Sequence, residues 1–234
     1  MRFLIALVVA VALLAVCERP LKRYPGLFYA LSAALVALYF FGSASNATGG
    51  LWPYFLPLVQ RCALAFVLFS IVMFAGALED SSRLRLRIMA VRRQLSVMAC
   101  IFAVGHIAFY AASYVPTIAA TPTVNLALSL ALATALVALM AILLATSLLA
   151  VKQRLKPSAW KGVQRLAYPF YLLMYVHLAL LLLPSALSGK ETALVSLSVY
   201  TAVFACYAIL RSRRALQRHA LARTVASQSR TEAS

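Results

Sequence analysis

Acidic residues are scarce in this chain. Only 5 of its 234 residues are Asp or Glu, against 22 Lys and Arg, and charged residues make up 12%. A soluble domain carries about 25% charged and roughly 45–50% apolar residues. Here 64% of residues are hydrophobic and the mean hydropathy is +0.91. So few charges cannot cover so apolar a chain in water, which excludes a soluble globular domain. Disorder is excluded too, because disordered chains are poor in apolar residues. Cys17, Cys62, Cys100 and Cys206 are too scattered for a disulfide framework or a zinc site, and no Cys-x-x-Cys-His stands ready to attach haem covalently. A glycine-rich nucleotide fingerprint is missing. So are period-2 strands and a 20–50-residue repeat.

What the chain does have is long apolar runs. A membrane helix needs about 20 mainly apolar residues. Seven runs qualify or come close: Phe3–Val16, Leu27–Gly42, Tyr54–Leu78, Leu95–Val115, Val124–Ala150, Leu166–Leu183 and Ala193–Leu210. They are apolar all round, as lipid-facing helices are. The basic residues then sort by side. The loops after the first, third and fifth runs, with the tail after the seventh, hold 19 of the 22. The intervening loops 43–53 and 116–123 carry no charge, and the third holds only Lys190 and Glu191. The positive-inside rule puts the tail in the cytoplasm and the N-terminus outside. The excess of +17 is therefore read as a topology signal, with no nucleic-acid partner. The first run resembles a signal peptide in length, but Val16 is bulky where a cleavage site is small. Cleavage would also strand Arg19, Lys22 and Arg23 outside, so a retained helix is expected. Asn46-Ala47-Thr48 matches the glycosylation sequon, a weak pattern.

An ionisable residue inside an apolar span is costly, about 2.5–3.5 kcal/mol on insertion scales, and marks a functional site by default. Of three histidines, His219 lies in the basic tail, while His106 and His177 lie deep in spans. His106 follows Arg93 by 13 residues and His177 follows Arg165 by 12. At about 1.5 Å per residue both sit roughly 18–20 Å from the cytoplasmic edge. Two imidazoles at one level on two parallel helices suit a bis-histidine haem, whose iron is reached from opposite faces. The plainer alternative is two core histidines bonded to neighbouring helices. Gly105 beside His106 leaves room either for a macrocycle or for another helix. Arg61, roughly 10 Å inside span three on a straight-helix count, suits a haem propionate bidentately. Its alternative is a snorkelling side chain.

The basic approach to Arg92-Arg93-Gln94-Leu95, followed by His106, resembles the third core helix of ferric reductase-like transmembrane domains. The run from Trp160 to Tyr168, followed by His177, resembles the fifth, and Asn46 to Trp52 with Arg61 resembles the loop and second helix. The resemblance covers about Leu27 to Leu210 and is closest in layout to the haem-binding subunit of periplasmic methionine sulfoxide reductase. It implies an all-α polytopic membrane helical bundle, a six-helix ferric reductase-like core plus one extra N-terminal helix. Residues 1–23 form that helix and its basic loop, 24–210 the haem-binding domain, and 211–234 a basic cytoplasmic tail. Members with two haems carry two histidines on each ligand helix. Here Gln164 stands 13 residues before His177, and Arg92 or Arg93 stands at the matching position before His106. Neither glutamine nor arginine is a usual iron ligand. One non-covalent haem b is therefore expected, held by His106 and His177, with Arg61 and Gly105 beside it and Gln164 the vestige of an inner cofactor site.

These readings point to a multi-pass b-type cytochrome of the plasma membrane, the membrane haem subunit of an oxidoreductase. Its donor would be a quinol, with Tyr168, Tyr171 and Tyr175 as candidate lining of a quinone site, or a separate flavoprotein. Its acceptor would be external, a ferric chelate or a partner reductase. The alternatives are a cofactor-free multi-pass transporter, which Pro57 and Pro169 would serve as span breaks, and an assembly subunit that has lost haem.

Overall fold

The computed structural model describes residues 2–45, 49–120 and 123–231; Asn46, Ala47 and Thr48, and with them the sequon, lie outside these. The described residues form helices α1 (Arg2–Arg23), α2 (Pro25–Ala44), α3 (Trp52–Gln60), α4 (Ala63–Ala75), α5 (Arg83–Ala90) and α6 (Arg92–Ala120). They continue with α7 (Val124–Ser147), α8 (Leu149–Arg154), α9 (Pro157–Gln164), α10 (Ala167–Leu187) and α11 (Glu191–Thr231). Among them are no strands. Five stretches are long and apolar enough to cross a membrane: α2, the Arg92–Ala112 part of α6, α7, Pro157–Leu187 and the Glu191–Arg218 part of α11. The pair α3 and α4 makes a sixth. The protein is an all-α, polytopic membrane bundle.

Two boundaries differ from the sequence expectation. Tyr54–Leu78 is not one straight helix but two helices bent by 56°. Pro57 brings no N–H to the ladder, and five residues on Cys62 takes a left-handed conformation with φ 57°. A non-glycine residue seldom adopts it. The Cys62 N–H turns back to the Val59 carbonyl at 3.0 Å, which closes α3 tightly before α4 begins. The straight-helix depth of Arg61, the residue at this break, therefore does not hold. The second difference is the expected loop at Pro116, where α6 continues to Ala120. Proline removes one hydrogen bond but keeps a helical φ, so an apolar helix can pass through it. The first expected run lies inside α1, which continues through Pro20 to Arg23.

The centre of the bundle is α4. Ten of its residues are buried, from Ala63 to Ala75, and it packs on α1, α3, α5, α6 and α10. α7 is equally apolar but buries only Ser129, Met140 and Thr146. Most of α7 therefore faces outward, toward lipid. The Thr123 hydroxyl accepts from the Leu126 N–H at 3.3 Å and starts that helix.

One end of the bundle gathers the ion pairs. Glu18 on α1 binds Lys22 and Arg87, each at 2.6 Å. Asp80 meets Arg85 at 2.8 Å, Arg218 at 3.1 Å and also Arg214. Arg211 donates to the Tyr168 hydroxyl at 2.6 Å and to the Gly76 carbonyl at 3.3 Å. These contacts bring α1, α5, α10 and α11 together where the basic segments converge.

Candidate functional site

The break between α3 and α4 builds the first half of the site. A helix C-terminus leaves its last carbonyls without intrahelical partners. The Gln60 carbonyl is one of them, and it receives His106 Nδ1 at 2.6 Å. A carbonyl only accepts, so Nδ1 carries the proton and Nε2 keeps a lone pair. A ring so held is prepared to give Nε2 to a metal, the usual arrangement behind a ligating imidazole. His106 is half-buried and lies against Tyr110, with ring centroids 4.8 Å apart. Tyr110 in turn stacks on Tyr114 at 5.2 Å.

Arg61 follows Gln60 directly, so the same break brings it to the His106 side of the bundle. It is exposed and within electrostatic reach of Tyr110 and Tyr200. Among the described residues no carboxylate pairs with it.

His177 is half-buried on α10 and within electrostatic reach of His106. Its Nδ1 is buried without a hydrogen-bond partner. The backbone of Ser129 on α7 acts on the ring from outside bonding geometry. An orphaned buried ring nitrogen is costly unless something occupies it. The two histidine helices, α6 and α10, are not a packed pair; α4 and α7 bridge them. So the structure brings His106 and His177 near each other on helices held apart, and leaves each with an unengaged ring nitrogen. Two such imidazoles could hold the iron of a haem, which would supply one-electron chemistry. Among the described residues no three His, Cys, Asp or Glu converge as a metal site.

The other expected site residues make contacts of their own. The hydrogen in place of a Cβ at Gly105 is where Val36 of α2 packs, and an added Cβ would meet Val36 Cγ1 at 2.7 Å. Gly105 thus stands in close contact with α2. Gln164 is at the basic end, where its amide donates to Thr146 Oγ1 at 3.0 Å. Trp160 Nε1 donates to the Thr146 carbonyl, also at 3.0 Å. Of the tyrosines considered for a quinone site, Tyr168 holds Arg211 and Tyr175 bonds Thr201 at 2.9 Å. Tyr171 is fully buried with its hydroxyl 2.9 Å from Ser70 Oγ. Ser70 lines an apolar cavity of about 540 Å³ between α1, α4, α5 and α11. The roles of the Gln60 carbonyl, Ser70 and Thr146 were not visible in the sequence. Only Pro57 gave a hint of the break that frees the first.

A family model described as ferric reductase like transmembrane component matches residues 61–175. Residues 61–175 form a ferric reductase-like transmembrane domain. The domain opens on Arg61, contains Gly105, His106 and Gln164, and its match stops two residues short of His177. The match agrees with the multi-pass membrane bundle described above. The chain is also similar to an uncharacterized protein of Treponema pallidum (strain Nichols), 33% identical over 223 residues, which cover 92% of this chain and 61% of the relative. The chain thus spans under two thirds of the length of that relative. No solved structure matches the chain.

Proposed function

We propose that the protein is a membrane b-type cytochrome with one haem b, held by His106 and His177 as axial ligands. The observation that carries this reading is the His106–Gln60 contact at 2.6 Å together with the orphaned ring nitrogen of His177. When bound, the haem would supply a one-electron iron couple. The chain's own residues do the rest. Gln60 fixes the tautomer and orientation of His106. Arg61, cationic and without a carboxylate, is available to pair a propionate. The apolar flanks of α4 and α7 exclude water, which strengthens every polar contact between them.

In this reading the basic end is cytoplasmic, by the positive-inside rule, and the protein sits in the cell membrane with its acceptor outside. Gln164, and Arg92 or Arg93, replace the inner histidines of two-haem relatives, so a soluble flavoprotein at the basic face would stand roughly 18–20 Å from the site. A quinol arriving from the bilayer avoids that distance. The 540 Å³ cavity is apolar enough for a quinol, with Leu14, Ile71, Phe74 and Val203 about the single hydroxyl of Ser70, but it reaches Leu84 and Ile88 of α5 at the basic end, and no histidine among the described residues lines it. Its size is that of a small-molecule site, about 300–1,000 Å³.

The broken span favours a second reading, because transporters carry broken helices at their sites. A reduced-minus-oxidised spectrum of the detergent-purified protein, expressed with ample haem, separates the two. A b-type alpha band at one haem per chain is expected. No haem sinks the cytochrome reading, and two haems per chain refute the reading of Gln164.

A further inference from the structure

The basic end holds a cavity of another kind. It measures about 270 Å³ and is lined by Arg92, Trp160, Lys161, Gln164, Arg165 and Tyr168. Three of these six side chains are cationic and none is acidic. Lys152 adds charge at the rim, 4.9 Å over the Trp160 ring, and Arg211 does so 5.0 Å over the Tyr168 ring.

Arg92 is the decisive residue. It is half-buried and, among the described residues, no hydrogen-bond acceptor or carboxylate meets it. Of the acids at this end, Glu18 is engaged by Lys22 and Arg87 and Asp80 by Arg85, Arg214 and Arg218, and Glu79 makes no ion pair with Arg92. A half-buried guanidinium that faces a cavity without a partner is free to take a charge-assisted contact. The chain supplies none here, so the anion comes from outside.

The walls say where it comes from. Trp160 and Tyr168 are the ring types that settle at headgroup level. Trp160 is locked there by its bond to the Thr146 carbonyl, and Gln164 by its bond to Thr146 Oγ1. The cavity stands at the basic ends of α6 and α10, just where these apolar helices leave the membrane. Basic pockets between membrane helices on the basic side hold anionic headgroups. We propose that this cavity binds the phosphate of an anionic phospholipid headgroup, with Arg92 as the principal contact and Lys161 and Arg165 flanking it. The site stands whether or not the chain carries haem.

The test uses the full chain in a neutral detergent and reads thermal unfolding against added lipid. Short-chain phosphatidylglycerol should raise the midpoint saturably, while phosphatidylcholine and soluble glycerol phosphate should not. The double variant Arg92→Gln, Lys161→Gln should weaken the apparent phosphatidylglycerol affinity about tenfold or more, since charge-assisted contacts are the strong ones. Arg83→Gln, Arg213→Gln removes equal charge from exposed positions outside the cavity and should not. Should the Arg92 variant fail to fold, Lys161→Gln alone, at an exposed position, gives the same reading with a smaller shift. An equal effect of phosphatidylcholine, an equal loss in the control variant, or unchanged affinity in the cavity variants overturns the proposal. An equal effect of glycerol phosphate makes the ligand a soluble phosphate and overturns the lipid assignment.

Discussion

Around Gln60 one backbone carbonyl holds His106 at 2.6 Å, whereas at the other end of the bundle Asp80 alone meets Arg85, Arg214 and Arg218. The two regions treat ionisable groups in opposite ways. At the basic end cations are many, their partners are side chains, and Asp80 is 58% exposed. Losing one contact leaves others, and solvent screens the remainder. In the charge-poor half the ionisable groups expected within the spans are Arg61, His106 and His177. Their placement rests on backbone, on a helix break and on an empty ring nitrogen. Nothing there is duplicated. Substitutions in that half should therefore change what the protein holds, while those at the basic end should change its stability slightly.

The largest expected effect comes from the histidines. His106→Ala and His177→Ala should each abolish the b-type alpha band completely, since a bis-histidine site needs both. His219→Ala should leave the band intact. If either single alanine variant keeps a full band, the contrast between the two halves collapses, because the iron would then not depend on the pair at all.

A smaller effect should follow at Gly105. Gly105→Ala pushes a Cβ to 2.7 Å from Val36 Cγ1. Overpacking of this kind costs about 1–3 kcal/mol. Val36→Ala combined with Gly105→Ala should recover most of the lost thermal stability. If Gly105 instead made room for a macrocycle, the second substitution would not help and the haem content would fall. This double-variant cycle decides whether the charge-poor half is built by helix packing at that position.

How much of this was legible beforehand depended on the kind of signal. Length and hydropathy sufficed for α2, α6, α7 and α10, because a membrane helix needs only an apolar run. They did not distinguish α4 from α7, since both are apolar all round; only the neighbours make one central and the other peripheral. His106 and His177 stood out because a bilayer makes any imidazole conspicuous. The Gln60 carbonyl did not, because every residue has one and only the break frees it. The left-handed Cys62 that makes the break has no sequence mark of its own, as glycine would have had. Arg92 was read, with Arg93, only by its register with His106, and its lack of an anion appeared only once its neighbours were placed.

At the basic end the expected effects are modest. Asp80→Asn removes the shared acid of three arginines, yet exposure limits the loss to about 0–1 kcal/mol. High salt should shrink the difference in thermal midpoint between wild type and variant, because screening weakens the wild-type pairs. A loss of several kcal/mol, insensitive to salt, would mean that this end is organised like the other one.

Glu18 should give the smallest and most diagnostic signal. The Arg87 hydrogen bond first, and the Lys22 bond next, hold its carboxyl below the usual carboxylate range. A carboxylate whose value is depressed on folding binds fewer protons in the folded chain than in the unfolded one. Its contribution is therefore whole above the unfolded value, about 4.3, and drains away as pH falls through the folded value. Thermal midpoints of wild type and Glu18→Gln should differ at neutral pH and converge as the solution is acidified below that range. A gap that stays constant with pH would assign the loss to packing of the α1 terminus rather than to charge. The basic end would then owe its cohesion to the same close fit that governs the histidine half.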